Sequence, residues 1–168
     1  TVGESPLTTA DIALQYVTEG PDQVLDEMIA FSHMEADCFM IDMVQLPFNL
    51  VKMKRAFSDW QYKLAGRGWN ALYIENHDHP RISSRYGNEA YRNESGKMLA
   101  AMYMLQRGTP FIYQGQEIGM LNLRLPDVNM YEDVMIHNAV RIASKIMPKK
   151  KVLEMVQRSC RDSARSPM

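Results

Sequence analysis

A chain of 168 residues, 46% of them apolar and carrying a formal charge of −1, has the length and composition of one globular domain. The near-neutral balance excludes the basic face of a nucleic-acid binder, and the one basic run, Lys149-Lys150-Lys151, reads as a solvated helix end. Two cysteines, Cys38 and Cys160, give no disulfide framework; no Cys-x-x-Cys metal pattern occurs, and no apolar run approaches the ~20 residues needed to cross a bilayer.

Thr1-Val2-Gly3-Glu4 reads as the end of a strand that delivers a carboxylate. Thr8 or Thr9 then caps a helix through Val17, with Asp11 in its first turn favouring the positive end of the dipole, and Gly20-Pro21 stops it. Met28 to Phe31 is a short apolar run followed by polar Ser32-His33, the signature of a second strand. Asn49 caps a helix in which Leu50, Met53, Phe57, Trp60 and Leu64 recur at helical spacing until Gly66 or Gly68 ends it. Asn70 to Ile74 reads as a third strand. From Glu94 a helix sets Met98, Met102 and Leu105 on one face, and Gly108-Thr109-Pro110 breaks it and begins a fourth strand. Asn122 to Asp133 is irregular, and two modest helices follow, near Asp133 to Ile146 and Lys149 to Arg158. Strands alternating with helices predict an α/β protein with a parallel sheet and right-handed crossovers, and their short, apolar character fits strands covered on both faces. The abundant methionines, at helical spacing, read as core filling.

Ligands gather at the carboxyl ends of parallel strands, so Leu72-Tyr73-Ile74-Glu75-Asn76-His77-Asp78-His79-Pro80-Arg81 marks the place for a site, with a catalytic carboxylate the first expectation. A plain turn is the competing reading, since Asn, Asp and Pro are ordinary turn residues. A second apolar run, Gly108 to Ile112, also ends in a polar, Gly-punctuated loop. Arg81 and Arg85 are expected to brace the first loop by pairing with carboxylates at its rim, and His33 and His79 to be hydrogen-bonded loop residues.

Four segments in order, TVGE, ENHDHPRISSRYG, GTPFIYQGQEIGM and RDSARSPM, resemble the oligo-1,6-glucosidase and α-glucosidase group of the α-amylase family of glycoside hydrolases, from Thr1 to Met168. The resemblance implies the second half of a (β/α)₈ TIM barrel, about strands 5 to 8. Residues 1–120 would form this half-barrel and residues 121–168 a helical excursion after the eighth strand, cut short before the last barrel helix. A complete barrel needs about 250 residues, so the chain is expected to be an internal piece of a longer enzyme, with any signal peptide lying upstream. Cytoplasmic residence is the expectation.

The function implied is that of a retaining, exo-acting α-glucosidase acting on short oligosaccharides. Such enzymes hold two carboxyl groups about 5 to 5.5 Å apart, one as nucleophile and one as acid then base, and the acid must keep a raised pKa. By motif, Glu4 is similar to the family's acid/base and Asp78 to the carboxylate that stabilises the oxocarbenium-like transition state. His77 is similar to a hydrogen-bond donor to the glucose of the first subsite. Arg165 resembles an arginine that reaches the non-reducing glucose, with Arg161 the alternative match. The nucleophile, in a Gly-Phe-Arg-x-Asp-Val type motif, is expected on the preceding strand, together with an N-terminal half-barrel, a lid domain and a C-terminal β domain of the parent polypeptide. Gln116 stands where many relatives have Glu. No cofactor, metal, nucleic acid or membrane is implied; the partner is a small oligosaccharide. Two alternatives accompany this reading: a sucrose isomerase or glucosyltransferase of the same family, whose Arg-Leu-Asp-Arg-Asp type loop is replaced here by Asn88-Glu89-Ala90-Tyr91-Arg92, and a non-catalytic heavy chain of an amino-acid transporter, which retention of Glu4 and Asp78 disfavours.

Overall fold

The computed structural model describes residues 1–39 and 41–168. Its strands are β1 (Val2–Glu4), β2 (Glu27–Ile29), β3 (Cys38–Phe39), β4 (Ile41–Gln45), β5 (Trp69–Leu72) and β6 (Thr109–Pro110), and its helices are α1 (Ala10–Val17), α2 (Leu50–Leu64), α3 (Ile82–Arg85), α4 (Arg92–Met104), α5 (Val134–Ala143) and α6 (Lys149–Ser159). The chain divides into two compact units. The first comprises Thr1–Cys38, Leu46–Ile74 and Ala100–Phe111, and the second Phe39–Gln45, Glu75–Leu99 and Ile112–Met168.

In the first unit β1, β2, β5 and β6 lie side by side in that order, and every neighbouring pair is parallel. Gly3 faces Met28, Met28 faces Asn70, and Leu72 faces Pro110 across the ladder. Helices form where the sequence caps them: the Thr9 side chain accepts from the backbone N–H of Ile12, and that of Asn49 accepts from Lys52. Gly66, at φ +69°, takes the left-handed turn after α2. Gly108 also needs its missing side chain, because a Cβ there would stand 2.4 Å from the Asn70 carbonyl oxygen.

The two faces of this sheet differ. Side chains alternate across a strand, so Met28 and Ala30 project to one face, where they join Ala10, Ala13, Leu14, Val17, Trp60 and Leu64 in a closed core beneath α1 and α2. Val2, Glu4, Trp69 and Thr109 project to the other face and stay exposed. Trp69 is steadied there by the Arg107 guanidinium, 4.6 Å from its ring centroid, and by its indole N–H donating to Thr109 Oγ1 at 2.8 Å. The expectation of strands buried on both faces therefore holds for the Met28 face and, on the other, for Ala71, which is buried.

Several boundaries depart from the sequence reading. The second strand ends at Ile29, because Phe31 leaves the extended region at φ −104°, ψ −13° and opens a 3-10 turn over Ser32–Glu35. The third strand is Trp69–Leu72; its last ladder bond runs from Phe111 N to Leu72 O at 2.7 Å, and Tyr73 and Ile74 are buried beyond it. The pair β3–β4 was not read at all, since residues 38–45 are mostly apolar and hold no Gly, Pro or Asn to mark a turn.

The second unit is built on α5 and α6. Asp133 caps α5 by accepting from Met135 N at 2.9 Å, α6 begins after Pro148, and Tyr131, Ile136, Val156 and Cys160 form their shared core. Lys149-Lys150-Lys151 lies exposed in the first turn of α6. Among the described residues, no helix is long and apolar enough to cross a membrane.

Candidate active site

The loop after β5, in the second unit, carries a connected set of directed polar contacts. It is founded on a buried ion pair. Arg81 Nη1 donates to Glu75 Oε1 at 2.7 Å and to the Gln114 carbonyl at 2.6 Å, while Glu75 Oε2 accepts from Ile82 N at 2.8 Å. The Arg81 guanidinium also lies 5.0 Å from the Tyr113 ring centroid. Arg81 was expected to meet a carboxylate at the loop rim; the structure corrects this, because both partners are buried, Arg81 at 0% and Glu75 at 2% exposure. Burial pushes the Glu75 pKa above the ordinary glutamate value against the opposing pull of Arg81. Arg85 lies 3.5 Å from His79 Nδ1 and over the Tyr86 ring. His33, expected in a loop, is instead a core residue of the first unit, stacked on Phe57 at 4.9 Å and edge-on to Tyr73 at 4.9 Å.

On this base Asn76 Oδ1 accepts from Asp78 N at 3.0 Å, an Asx turn that presents His77 and Asp78 outward. The turn reading therefore holds, and the turn is what displays the two side chains. Asp78 is part-buried, and its Oδ1 accepts from Arg161 Nη1 at 3.0 Å and Arg165 Nη2 at 3.1 Å. Arg165 Nε donates to the His77 carbonyl at 2.8 Å, and the exposed His77 ring places Nε2 at 3.4 Å from Asp78 Oδ2. One carboxylate oxygen is therefore fixed by two cations, and the other faces an exposed imidazole. Such a pair can accept hydrogen bonds from a hydroxylated ligand and set a negative charge beside it.

Both arginines the sequence left open reach Asp78. Their segment, a 3-10 turn over Arg161–Ala164, is pinned by Leu123 N donating to Ser163 O at 3.1 Å and the Tyr113 hydroxyl donating to Ala164 O at 3.2 Å. Two carboxylates that sequence reasoning passed over hold it from behind. Asp162 Oδ2 accepts from Glu132 N at 2.7 Å and Asp133 N at 3.0 Å, and Asp133 Oδ2 lies 2.8 Å from Arg161 Nε as an ion pair without hydrogen-bond alignment. Burial works against the Arg161 charge, but Asp133 and Asp78 outweigh it and raise its pKa. Asp133 stands in the sequence only at the start of a modest helix, and nothing in its spacing announces the arginine 28 positions on.

Glu4 belongs to the first unit, where it is the last residue of β1, in register with Ile29 and exposed. Gln116 accepts from Tyr113 N at 3.1 Å, which closes the turn after Tyr113. Neither cysteine forms a disulfide, and burial pushes the Cys160 thiol up to about 12, which makes it a poor nucleophile. Among the described residues no group of three or more His, Cys, Asp or Glu is arranged to hold a metal ion.

The α-amylase catalytic-domain family model matches residues 1–168. The chain is 43% identical to an oligo-1,6-glucosidase of Heyndrickxia coagulans, a match covering 100% of this chain and 31% of that protein. Among solved structures, trehalose-6-phosphate hydrolase of Bacillus licheniformis superimposes with a TM-score of 0.92 at 38% identity, over 99% of this chain and 31% of that one. Isomaltulose synthase of Klebsiella sp. LX3 superimposes with a TM-score of 0.88 at 27% identity, over 99% and 31%. The chain thus spans about a third of the length of the relatives it matches.

Proposed function

Because the chain belongs to the α-amylase catalytic-domain family, whose fold is the TIM barrel, we propose that it is the second half of that barrel in a retaining α-glucosidase of the oligo-1,6-glucosidase kind. Residues 1–120 supply the half-barrel and residues 121–168 the excursion that carries Arg161 and Arg165. The observation that carries the reading is Asp78, displayed beside an exposed His77 and clamped by two guanidinium groups.

In this proposal Glu4 is the acid/base and Asp78 the stabiliser of positive charge at the anomeric carbon. His77 and Arg165 hold the non-reducing glucose. The nucleophile comes from the remainder of the parent polypeptide, which also covers the open face of the sheet at Val2 and Trp69. Double displacement then proceeds by proton donation from Glu4, attack by that nucleophile, and hydrolysis of the glycosyl-enzyme by water that Glu4 deprotonates. Identity over the whole chain favours a hydrolase over a sucrose isomerase, whose relatives stand further off. The substrate is a short α-glucoside and the compartment the cytoplasm, where Cys38 and Cys160 persist as buried thiols.

The test is the full-length parent assayed on isomaltose, maltose, trehalose 6-phosphate and sucrose. Release of glucose from isomaltose as the preferred reaction supports the proposal. Exclusive cleavage of trehalose 6-phosphate moves the assignment to the phosphosugar relatives, and isomaltulose formation from sucrose overturns hydrolysis. Within the same parent, His77→Ala is expected to lower kcat/KM about tenfold, the loss of one hydrogen bond of ~1.4 kcal/mol, with unchanged thermal stability. A collapse of stability with normal specific activity in the folded fraction would assign His77 to the fold instead.

A further inference from the structure

Asp133 is 9% exposed, caps α5 through one oxygen, and directs the other at Arg161 Nε at 2.8 Å. The far side of the same guanidinium donates to Asp78 Oδ1 at 3.0 Å. A helix cap needs no second contact with a cation, and Asn or Ser would serve the cap equally well. The two jobs are joined in one residue, so the start of α5 fixes where the Arg161 guanidinium sits. Asp162 strengthens the link, because its carboxylate accepts the N–H groups of Glu132 and Asp133 and thereby ties the cap to the segment that bears both arginines.

We infer that Asp133 is a positioning residue for the reaction, acting through Arg161 to orient the Asp78 carboxylate, an inference that rests on Asp78 being the stabilising carboxylate proposed above. Arg161 is shared between two carboxylates. Asp133 holds the Nε edge, so the Nη1 atom alone is presented to Asp78, and Oδ2 of Asp78 keeps its direction toward His77. Without the Asp133 charge, the guanidinium is free to turn its fork onto Asp78 and engage both oxygens. The carboxylate would then be spent on the arginine in the transition state.

The experiment is a double-mutant cycle in the full-length parent, using Asp133→Asn, which keeps the cap, and Arg161→Gln, each measured for kcat, KM and urea unfolding. Asp133→Asn alone is expected to lower kcat about tenfold with KM within twofold, and to cause no further loss of kcat in the Arg161→Gln background. A structural role would act equally in both backgrounds, so equal losses, or no loss from Asp133→Asn alone, overturn the inference. If the wild-type parent turns over no α-glucoside, the functional reading fails by itself. The Asp133–Arg161 link is then read from unfolding, where additive midpoint shifts in the cycle would overturn it and coupled shifts would support it.

Discussion

Asp78→Asn in the full-length parent is expected to lower kcat about 10²–10³-fold on every α-glucoside, whatever its leaving group. Asparagine keeps the shape and the Asx turn from Asn76, but in the role proposed for Asp78 it would remove the charge that stabilises the developing oxocarbenium ion in both steps of the double displacement. Added azide cannot replace that charge. Glu4→Gln must behave differently: substrates with poor leaving groups should lose the most, up to the ~10²–10⁴-fold that general acid catalysis supplies, and activated aryl glucosides far less. Azide should then restore turnover of the glycosyl-enzyme and yield an α-glucosyl azide, since that nucleophile needs no base. Measured kcat values for the two variants, across a leaving-group series with and without azide, check the roles. Identical responses would sink the assignment even if both residues proved essential.

Arg81→Met is expected to cost about 3–5 kcal/mol at neutral pH, because it leaves the Glu75 carboxylate buried without its cation. The sign of the pH dependence follows from Glu75. Burial already raises its pKa in the folded protein despite Arg81, and removal of Arg81 raises it further. A carboxyl group whose pKa is raised on folding contributes stability that is fully present below its unfolded value and is lost as pH rises through its folded value. The penalty of Arg81→Met relative to wild type should therefore shrink as pH falls toward the ordinary glutamate range. The added substitution Glu75→Gln should recover much of the loss at neutral pH, since both charges are then gone. Urea unfolding of the three proteins at acid and neutral pH gives the answer, and a penalty that does not change with pH would refute the account.

Asp78, Glu75 and Arg81 lie within one ten-residue motif, and they differ in how far the sequence announced them. The turn that displays His77 and Asp78 was legible because Asn76, His77, Asp78 and Pro80 follow a short apolar run, and such residues end a strand in a turn. Glu75 sits in the same motif and was passed over. Its role depends on which way the chain turns after Leu72, and a carboxylate beside a turn carries no sign of facing inward. Arg81 was read as a brace with its partner misplaced at the rim, for the same reason.

What the sequence by itself determined is the local and periodic part. A cap at Thr8 or Thr9, the Asn49 cap, a stop at Gly66 or Gly68, the apolar spacing of α2 and the alternation of the parallel-sheet strands with helices all follow from neighbours within about four residues, the range over which capping and amphipathic burial act. The parallel sheet in chain order follows from that alternation. The tertiary structure decided what depends on distant residues meeting. It ended β2 where Phe31 turns to pack on Tyr73, paired β3 with β4, and moved His33 from a loop into the core. It also brought both Arg161 and Arg165 across more than 80 positions to one oxygen of Asp78 and set Asp133 behind them. Charge pairing is non-local and directional, so no spacing rule along the chain encodes it, and only the folded backbone could say which arginine meets which carboxylate.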